Sequence, residues 1–411
     1  METELDKAYQ KTVSWLFQQF PAFQNVGASA YKPDLGNIRA LINELNLDFS
    51  GIKFIHIAGT NGKGTCTNYI GSVLMEQGYT TGIFTSPHIL DFRERMLVNG
   101  QFIDKKTVID FCEYIKNLSI EPSFFEITFA LTLSHFIAKK CDFVVLETGL
   151  GGRLDATNIV NPILSIITNI GFDHVQLLGD TLEKIAFEKA GIIKTETPVL
   201  IGEFTAETLP VFERVANEKK SEIYFVNDYN VEKSYFPIDN YKRKNEKIIL
   251  KAIDILRSLD VEISNESIEN GFKNIYQNTS YKGRFQVISE KPLEIVDVAH
   301  NEDGIKDLLN AIKQISFDKL HIIYGSSSDK EYTKILDLFP DDATLYFTEF
   351  SNHRSVKMEE LKLNKPNIAY FKNIQTAYSH VKNVRSNEDL TLITGSFYLI
   401  SDYFAMGDAT K

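Results

Sequence analysis

Short apolar runs rich in β-branched and aromatic residues recur along the first part of the chain, at 52–58, 80–85, 142–147, 163–169, 197–202 and 222–227. Between them lie longer segments in which apolar positions return every three or four residues, among them 65–76, 125–139 and 182–190. The first pattern is that of strands buried on both faces, and the second that of helices packed on a sheet. Segment 182–190 also carries end signals, with Asp180-Thr181 before it and Gly191 after it. A second series of runs begins near residue 290, at 293–298, 319–324, 343–348, 368–371 and 390–394. The intervals between them leave room for one crossover helix each, which favours parallel strands covered by helices. The polar stretch Asn278–Gly283 separates the two series. The pattern therefore predicts two α/β domains, 1–282 and a smaller one over 283–411.

The first strand runs into His56-Ile-Ala-Gly-Thr-Asn-Gly-Lys-Gly-Thr65. A strand that turns through glycines into a helix aims backbone N–H groups at one point. The helix N-terminus adds partial positive charge there, and Lys63 adds a full one. A polyphosphate suits that point, so Gly59, Thr60, Asn61, Gly62, Lys63, Gly64 and Thr65 are candidate ATP-phosphate residues. Gly64 separates the lysine from the hydroxyl of Thr65, a departure from the commonest P-loop spacing. The first domain is thus read as a P-loop-containing, mostly parallel sheet, and the second as Rossmann-like.

Other strand ends carry polar groups. Ser86 follows the second strand, in Thr85-Ser-Pro-His, where open parallel sheets place ligands. Glu147 ends Phe143-Val-Val-Leu-Glu and precedes Gly149, Gly151 and Gly152. If its strand lies beside the first one, Glu147 sits near a triphosphate, where Mg2+ needs a hard oxygen ligand. The clustered glycines predict close backbone approach to something bound. Arg153 and Asp155, on the same turn, are placed to fix a carboxylate and a polar ring edge. His174 occupies a third strand exit, and Lys189 falls late in the segment 182–190, where a lysine is ordinarily solvated. In the second domain Arg284, Asp297, His300, Asn301 and Ser396 lie at or beside strand ends.

Composition narrows the function. The 411 residues include 43% hydrophobic side chains, with 29 Phe and 18 Tyr, ample for real cores. A formal charge of −11 argues against general affinity for nucleic acid or anionic membrane. Three widely spaced cysteines make no disulfide or metal framework. The acidic N-terminal residues do not read as a signal peptide, and no apolar run reaches the length of a membrane span. A cytoplasmic setting is expected.

Eight blocks in this order resemble the folylpolyglutamate synthase and dihydrofolate synthase family, within the Mur-type ATP-dependent amide ligases. They are HIAGTNGKGT (56–65), TSPHILDFRER (85–95), FFE (124–126), VVLETGLGGRLDATN (144–158), residues 167–194, YKGR (281–284), DVAHN (297–301) and TGSFY (394–398). The resemblance implies that ATP phosphorylates a pteroate or folate carboxylate and that glutamate's amine attacks the acyl phosphate. It implies both dihydrofolate synthase and folylpolyglutamate synthase activity, with dihydropteroate or reduced folate, L-glutamate and ATP as substrates, in a monomeric enzyme. Ser86, Glu147 and His174 would then ligate Mg2+, two ions in all, together with Lys189 as a carbamate. Lys63, Lys189 and His300 would be catalytic. Asn245, Arg284 and Asp297 would contact the nucleotide. Lys32, Pro33, Asp34, Phe124, Phe125, Glu126, Arg153, Leu154 and Asp155 would hold the pterin, and Ser396 phosphate or glutamate.

The chain departs from that pattern in three places. Thr65 replaces the more usual serine, Tyr281 stands where tryptophan is frequent, and Asn301-Glu302 stands where Asn-Pro is common. Three other readings remain: folylpolyglutamate synthase activity alone, a peptidoglycan-precursor ligase, disfavoured by Lys63-Gly64 and the pterin blocks, and a non-catalytic nucleotide-binding module. The last should have lost Glu147, His174 or Lys189.

Overall fold

The structure, a computed structural model, describes residues 3–20, 34–231, 233–236, 243–328, 330–361 and 368–408. These form two compact units, one running to Tyr235 and including Lys244–Tyr281, the other built chiefly from Lys282 onwards.

The first unit is organised by a sheet of β1 (Lys53–Ala58), β2 (Thr81–Phe84), β3 (Met96–Val98), β4 (Gln101–Phe102), β5 (Phe143–Glu147), β6 (Pro162–Ile167), β7 (Val199–Ile201) and β8 (Ile223–Phe225). Their spatial order is β4-β3-β2-β5-β1-β6-β7-β8. The six strands from β2 to β8 in that order are parallel, and β3 and β4 are antiparallel additions at one edge. β1 lies centrally, with Phe54, Ile55, Ile57 and Ala58 almost wholly enclosed. Burial on both faces explains why this run is continuously apolar rather than alternating. Each large side chain so enclosed contributes roughly 1.5–3 kcal/mol.

Register aligns the strand exits that matter. Glu147 pairs with Ile57, Leu146 with Phe84, and Ala58 with Ile167. The chain therefore leaves β2, β5, β1 and β6 along one sheet edge. The chain turns one way from β1 to β2 and later returns to place β6 on its other side, a topological switch point of the kind where ligands bind.

The second unit has β9 (Gln286–Glu290), β10 (Leu293–Asp297), β11 (Leu320–Tyr324), β12 (Thr344–Thr348), β13 (Ile368–Phe371) and β14 (Leu390–Thr394), ordered β13-β12-β11-β14-β10-β9. β9 runs antiparallel to β10, and the other neighbours are parallel. Ile295, Ile305, Leu308, Ile322 and Leu392 are among its core residues. Both sheets are parallel-dominated, in agreement with the α/β class expected from the pattern. No helix among the described residues is long and apolar enough to cross a membrane.

Four local features differ from the sequence reading. The helix after β1 begins at Lys63, two positions early, because Gly62 already acts as its N-cap. The β3–β4 hairpin turns on Asn99 and Gly100, whose φ values of 45° and 74° suit a two-residue primed turn. Its Asn-Gly signal lay in the sequence beside strands too short to show periodicity. Residues 278–281 are no free linker. Asn278 Nδ2 donates to Glu76 Oε1 at 2.7 Å and Ser72 Oγ at 3.1 Å, and Tyr281 is buried. Gly191 ends the helix Leu182–Ala190 in a right-handed conformation. Its smallness serves packing instead, since a Cβ there would lie 2.3 Å from that of Arg153.

Candidate active site

The loop after β1 is held in shape from outside. Asn169 Oδ1 accepts from Asn61 N at 2.8 Å and Thr60 N at 3.2 Å, and Thr168 Oγ1 donates to the Asn61 carbonyl at 2.6 Å. The Thr60 hydroxyl donates to the Gly171 carbonyl at 3.1 Å and accepts from its N–H at 2.9 Å. Thr168, Asn169 and Gly171 were not singled out from the sequence. Their signal was the polar Thr-Asn after an apolar strand, and only strand order shows which loop they brace. Lys63 Nζ donates to the carbonyls of Gly59 and Thr60, at 3.0 and 3.1 Å. Thr65 Oγ1 lies 3.3 Å from the Tyr281 hydroxyl, a contact that a tryptophan at 281 would not make in this form.

Gly62 takes φ +83°, and a Cβ on it would lie 2.3 Å from Asn245 Oδ1. This places Asn245, on the helix Arg243–Ser258, directly against the loop. Gly62→Ala is expected to weaken ATP binding at least tenfold, because left-handed strain of about 1–3 kcal/mol adds to the clash. Calorimetric titration with ATP checks this, and wild-type affinity would refute it.

Glu147 is only 3% exposed and its Oε2 accepts from Ser86 N at 3.2 Å. The structure thus joins the ends of β2 and β5, as strand adjacency requires. His174 stands on the tip after β6 with φ 51°, and its Nε2 is 3.8 Å from Asp173 Oδ2. Lys189 is not solvated; it is 4% exposed and its Nζ donates to the Gly59 carbonyl at 2.8 Å. Lys63 and Lys189 therefore converge on one carbonyl oxygen. Burial and the adjacent Lys63 charge push the Lys189 amine down to about 7, against Asp173 and Asp155, which favour its cation. Asp173, also missed in the sequence, is thereby placed beside this cluster.

Among the described residues no group of three or more His, Cys, Asp or Glu forms a metal site. The donor chemistry still fits a hard cation at the Ser86–Glu147 contact. The Ser86 N–H meets the Glu147 carboxylate there. The Ser86 hydroxyl and that carboxylate are the hard donors of these two residues, and His174 lies on the tip after β6, the strand beyond β1.

The helix Phe124–Ala138 begins at Ser123, whose N–H donates to Glu126 Oε2 at 2.6 Å while its hydroxyl accepts from Glu126 N at 3.3 Å. Glu126 therefore caps its own helix. Phe124 stacks on Phe17 with centroids 4.5 Å apart, under the Arg95 guanidinium. Asp155 does not project, as the sequence reading had it. It is 4% exposed and turned into its own loop, accepting from Gly149 N and Leu150 N at 2.9 Å each. Arg153 does reach outward, but onto Glu188 Oε1 at 2.8 Å. The glycines nearby approach the chain itself: a Cβ on Gly149 would lie 2.5 Å from the Phe125 ring, and one on Gly152 3.0 Å from the Lys189 carbonyl. Leu154 is partly buried beside them, and exposed Asp34 accepts from Gly36 N at 2.7 Å. Lys32 and Pro33 lie outside the described residues.

In the second unit, Asp297 ends β10 and its carboxylate accepts from Phe285 N at 2.6 Å and Ala299 N at 2.7 Å. The Arg284 guanidinium lies 5.0 Å from the Phe397 ring centre, with the His300 ring 5.8 Å away on that same residue. His300 Nδ1 is 2.9 Å from the Val298 carbonyl, which can only accept, so that nitrogen carries the hydrogen. Ser396 Oγ accepts from Tyr398 N at 3.1 Å. Asp297 pairs with Thr394 across β10 and β14, so all four candidates gather at one sheet end. Asn301 caps the next helix, accepting from Gly304 N at 2.8 Å, and Glu302 is its first residue. That first position tolerates proline because its N–H has no helical partner, which is why Glu and Pro are interchangeable there.

Residues 57–264 match the Mur ligase middle domain, and residues 283–397 match the Mur ligase, glutamate ligase domain. A dihydrofolate synthase/folylpolyglutamate synthase of Bacillus subtilis (strain 168) is 31% identical, over 96% of this chain and 98% of the relative. A solved bifunctional folylpolyglutamate synthase/dihydrofolate synthase with Mn, AMPPNP and L-glutamate bound has a TM-score of 0.85 at 27% identity, covering 99% of this chain and 100% of that one. E. coli FolC in complex with DHPP and ADP also scores 0.85, at 28% identity, over 97% and 98% of the two chains. Fold, loop and matches together define a ligase of the Mur type. Within that class, the chain belongs to the dihydrofolate synthase/folylpolyglutamate synthase family.

Proposed function

We infer that this protein joins L-glutamate to the carboxylate of a pteroate or folate at the expense of ATP, acting both as dihydrofolate synthase and as folylpolyglutamate synthase. The carrying observation is the convergence of Lys63 and Lys189 on the Gly59 carbonyl, beside strand exits that bear Glu147 and Ser86. The B. subtilis relative carries both activities in its name.

In the first step a carboxylate oxygen of the pterin substrate attacks the γ-phosphorus of ATP, the bond to the bridging oxygen breaks, and ADP departs. The resulting acyl phosphate has a good leaving group where the carboxylate had none. The glutamate amine then attacks the acyl carbon, and the tetrahedral adduct collapses to an amide with loss of phosphate and a proton. Residues Gly59–Thr65 would hold the phosphates, with Lys63 balancing charge on the group in transfer. Ser86, Glu147 and His174 would hold divalent metal. When bound, such a metal neutralises phosphate charge and orients the transferred group. Lys189 is suited to carbamylation because burial and Lys63 bring its amine down to about 7, so that a large share is neutral near pH 7, and the product is an anionic oxygen donor in place of a cation crowding Lys63. Asn245, Arg284 and Asp297 are assigned to the nucleotide, Phe124, Phe125, Glu126 and Arg153–Asp155 to the pterin, and His300 and Ser396 to phosphate or glutamate. Glu126 and Asp155 serve there through the backbone they hold, since their carboxylates are engaged.

ADP release is measured with ATP, Mg2+ and glutamate, plus dihydropteroate in one arm and tetrahydrofolate in the other. Glutamate-dependent release in both arms is expected. Release in neither overturns the function, and release with tetrahydrofolate alone restricts it to folylpolyglutamate synthase.

A further inference from the structure

His56 stands within β1 and is completely enclosed, at 0% exposure. A buried imidazole is tolerated where its polar atoms find partners. Its Nε2 lies 2.8 Å from Thr157 Oγ1, and the Thr157 hydroxyl donates to Asp155 Oδ1. Asp155 also accepts from three backbone groups: Thr157 N at 3.0 Å, and Gly149 N and Leu150 N at 2.9 Å each.

These contacts determine the proton positions. Burial raises the Asp155 carboxyl, but backbone N–H groups address both of its oxygens and hold it as an acceptor. The hydroxyl of Thr157 has one hydrogen, and Asp155 receives it. His56 must therefore carry its hydrogen on Nε2 and donate to Thr157. Nδ1 is left with a lone pair, buried and without a partner. Burial, reinforced by nearby Lys194, pushes the imidazole down to about 3, so the ring stays neutral. The unpartnered nitrogen indicates that the ring is kept for what Nε2 does, because an apolar residue would fill the space without that cost.

Gly149 and Leu150 follow Glu147 in the chain after a single residue. Gly149 also lies so close under the Phe125 ring that no side chain fits between them. A series of hydrogen bonds from the core of β1, meeting on the Asp155 carboxylate, thus reaches the turn that joins a metal-ligand candidate to a pterin-site candidate. We propose that His56 and Thr157 are positioning residues of the ligation, acting through Asp155 to seat the Gly149–Leu150 turn and with it Glu147 and Phe125. The proposal rests on the function inferred above.

Two measurements test it. In protein labelled with 15N-histidine, the His56 ring is expected as the neutral Nε2–H tautomer, and the Nδ1–H tautomer would overturn the series. This readout needs no turnover, so it separates failure of the series from failure of the proposed function. In the pterin-dependent assay, His56→Leu and Thr157→Val are each expected to lower kcat about tenfold, in the range found when groups supporting a ligand shell are removed. KM for ATP should change less than about twofold, the double variant should be no slower than either single one, and His56→Gln, which restores an N–H, should recover most of the loss. Wild-type kcat in Thr157→Val, which keeps the shape of the side chain, would refute the proposal even if His56→Leu fails to fold. So would multiplying effects in the double variant, or a His56→Gln as slow as His56→Leu.

Discussion

Lys63→Ala is expected to abolish turnover, lowering kcat by about a thousandfold or more, as when a group that neutralises charge in phosphoryl transfer is removed. In the structure the Lys63 ammonium is held by the Gly59 and Thr60 carbonyls at the helix start. It is therefore fixed at the start of the helix, where its charge adds to that of the helix terminus. Removing it leaves the loop braced by Thr168, Asn169 and Gly171, so the fold should persist. The check is ADP release in a coupled assay alongside thermal melting. An unchanged melting temperature with activity within about tenfold of wild type would overturn the phosphate assignment.

The second large effect is expected at Lys189. Lys189→Ala should lower kcat about a hundredfold or more, with partial recovery on adding a short carboxylate such as acetate. A buried ammonium beside Lys63, offered the neutral carbonyl of Gly59, is held poorly, and its amine falls to about 7. The unfolded chain binds this proton up to the usual lysine range. Between about pH 7 and that range the unfolded state thus carries more protons, and the unmodified group becomes less destabilising as pH rises. Below about 7 it is protonated in both states and its penalty is complete. Neutral amine reacts with carbon dioxide to give a carbamate and a proton, so carbamylation should increase as pH rises through 7. Enzyme stripped of bicarbonate should be slow near pH 6 and regain activity with added bicarbonate near pH 8. A carbamate carbon signal after 13C-bicarbonate labelling, absent in Lys189→Ala, gives direct detection. Wild-type activity in Lys189→Ala would refute the carbamate reading.

Much of this architecture was legible from pattern. β1, β5 and the strands of the second series lie within a residue or two of the apolar runs, and the helix Leu182–Ala190 has the expected bounds. Such segments are long enough, or sufficiently buried, for periodicity to speak. The hairpin β3–β4 was missed because a strand of two or three residues has no period to read. β9 was missed because its residues are half exposed at a sheet edge, and their pattern is not that of a core strand.

The site divides along the same line. The chemistry of Gly59–Thr65 is local, because glycine spacing, a lysine and a helix start are neighbours in the chain, and sequence by itself pointed to a phosphate there. Together with the ordered blocks, it determined the family. Sequence placed Ser86 and Glu147 at strand exits where ligands bind, but could name Lys189 only by resemblance, since it reads locally as a solvated residue. Strand order decided where they meet: β5 beside β2 carried Glu147 to Ser86, and the helix Leu182–Ala190 brought Lys189 under Gly59. It also turned Asp155 inward and tied it to His56. These placements depend on which apolar faces bury each other across distant parts of the chain, a property of the whole core that no local run of residues contains.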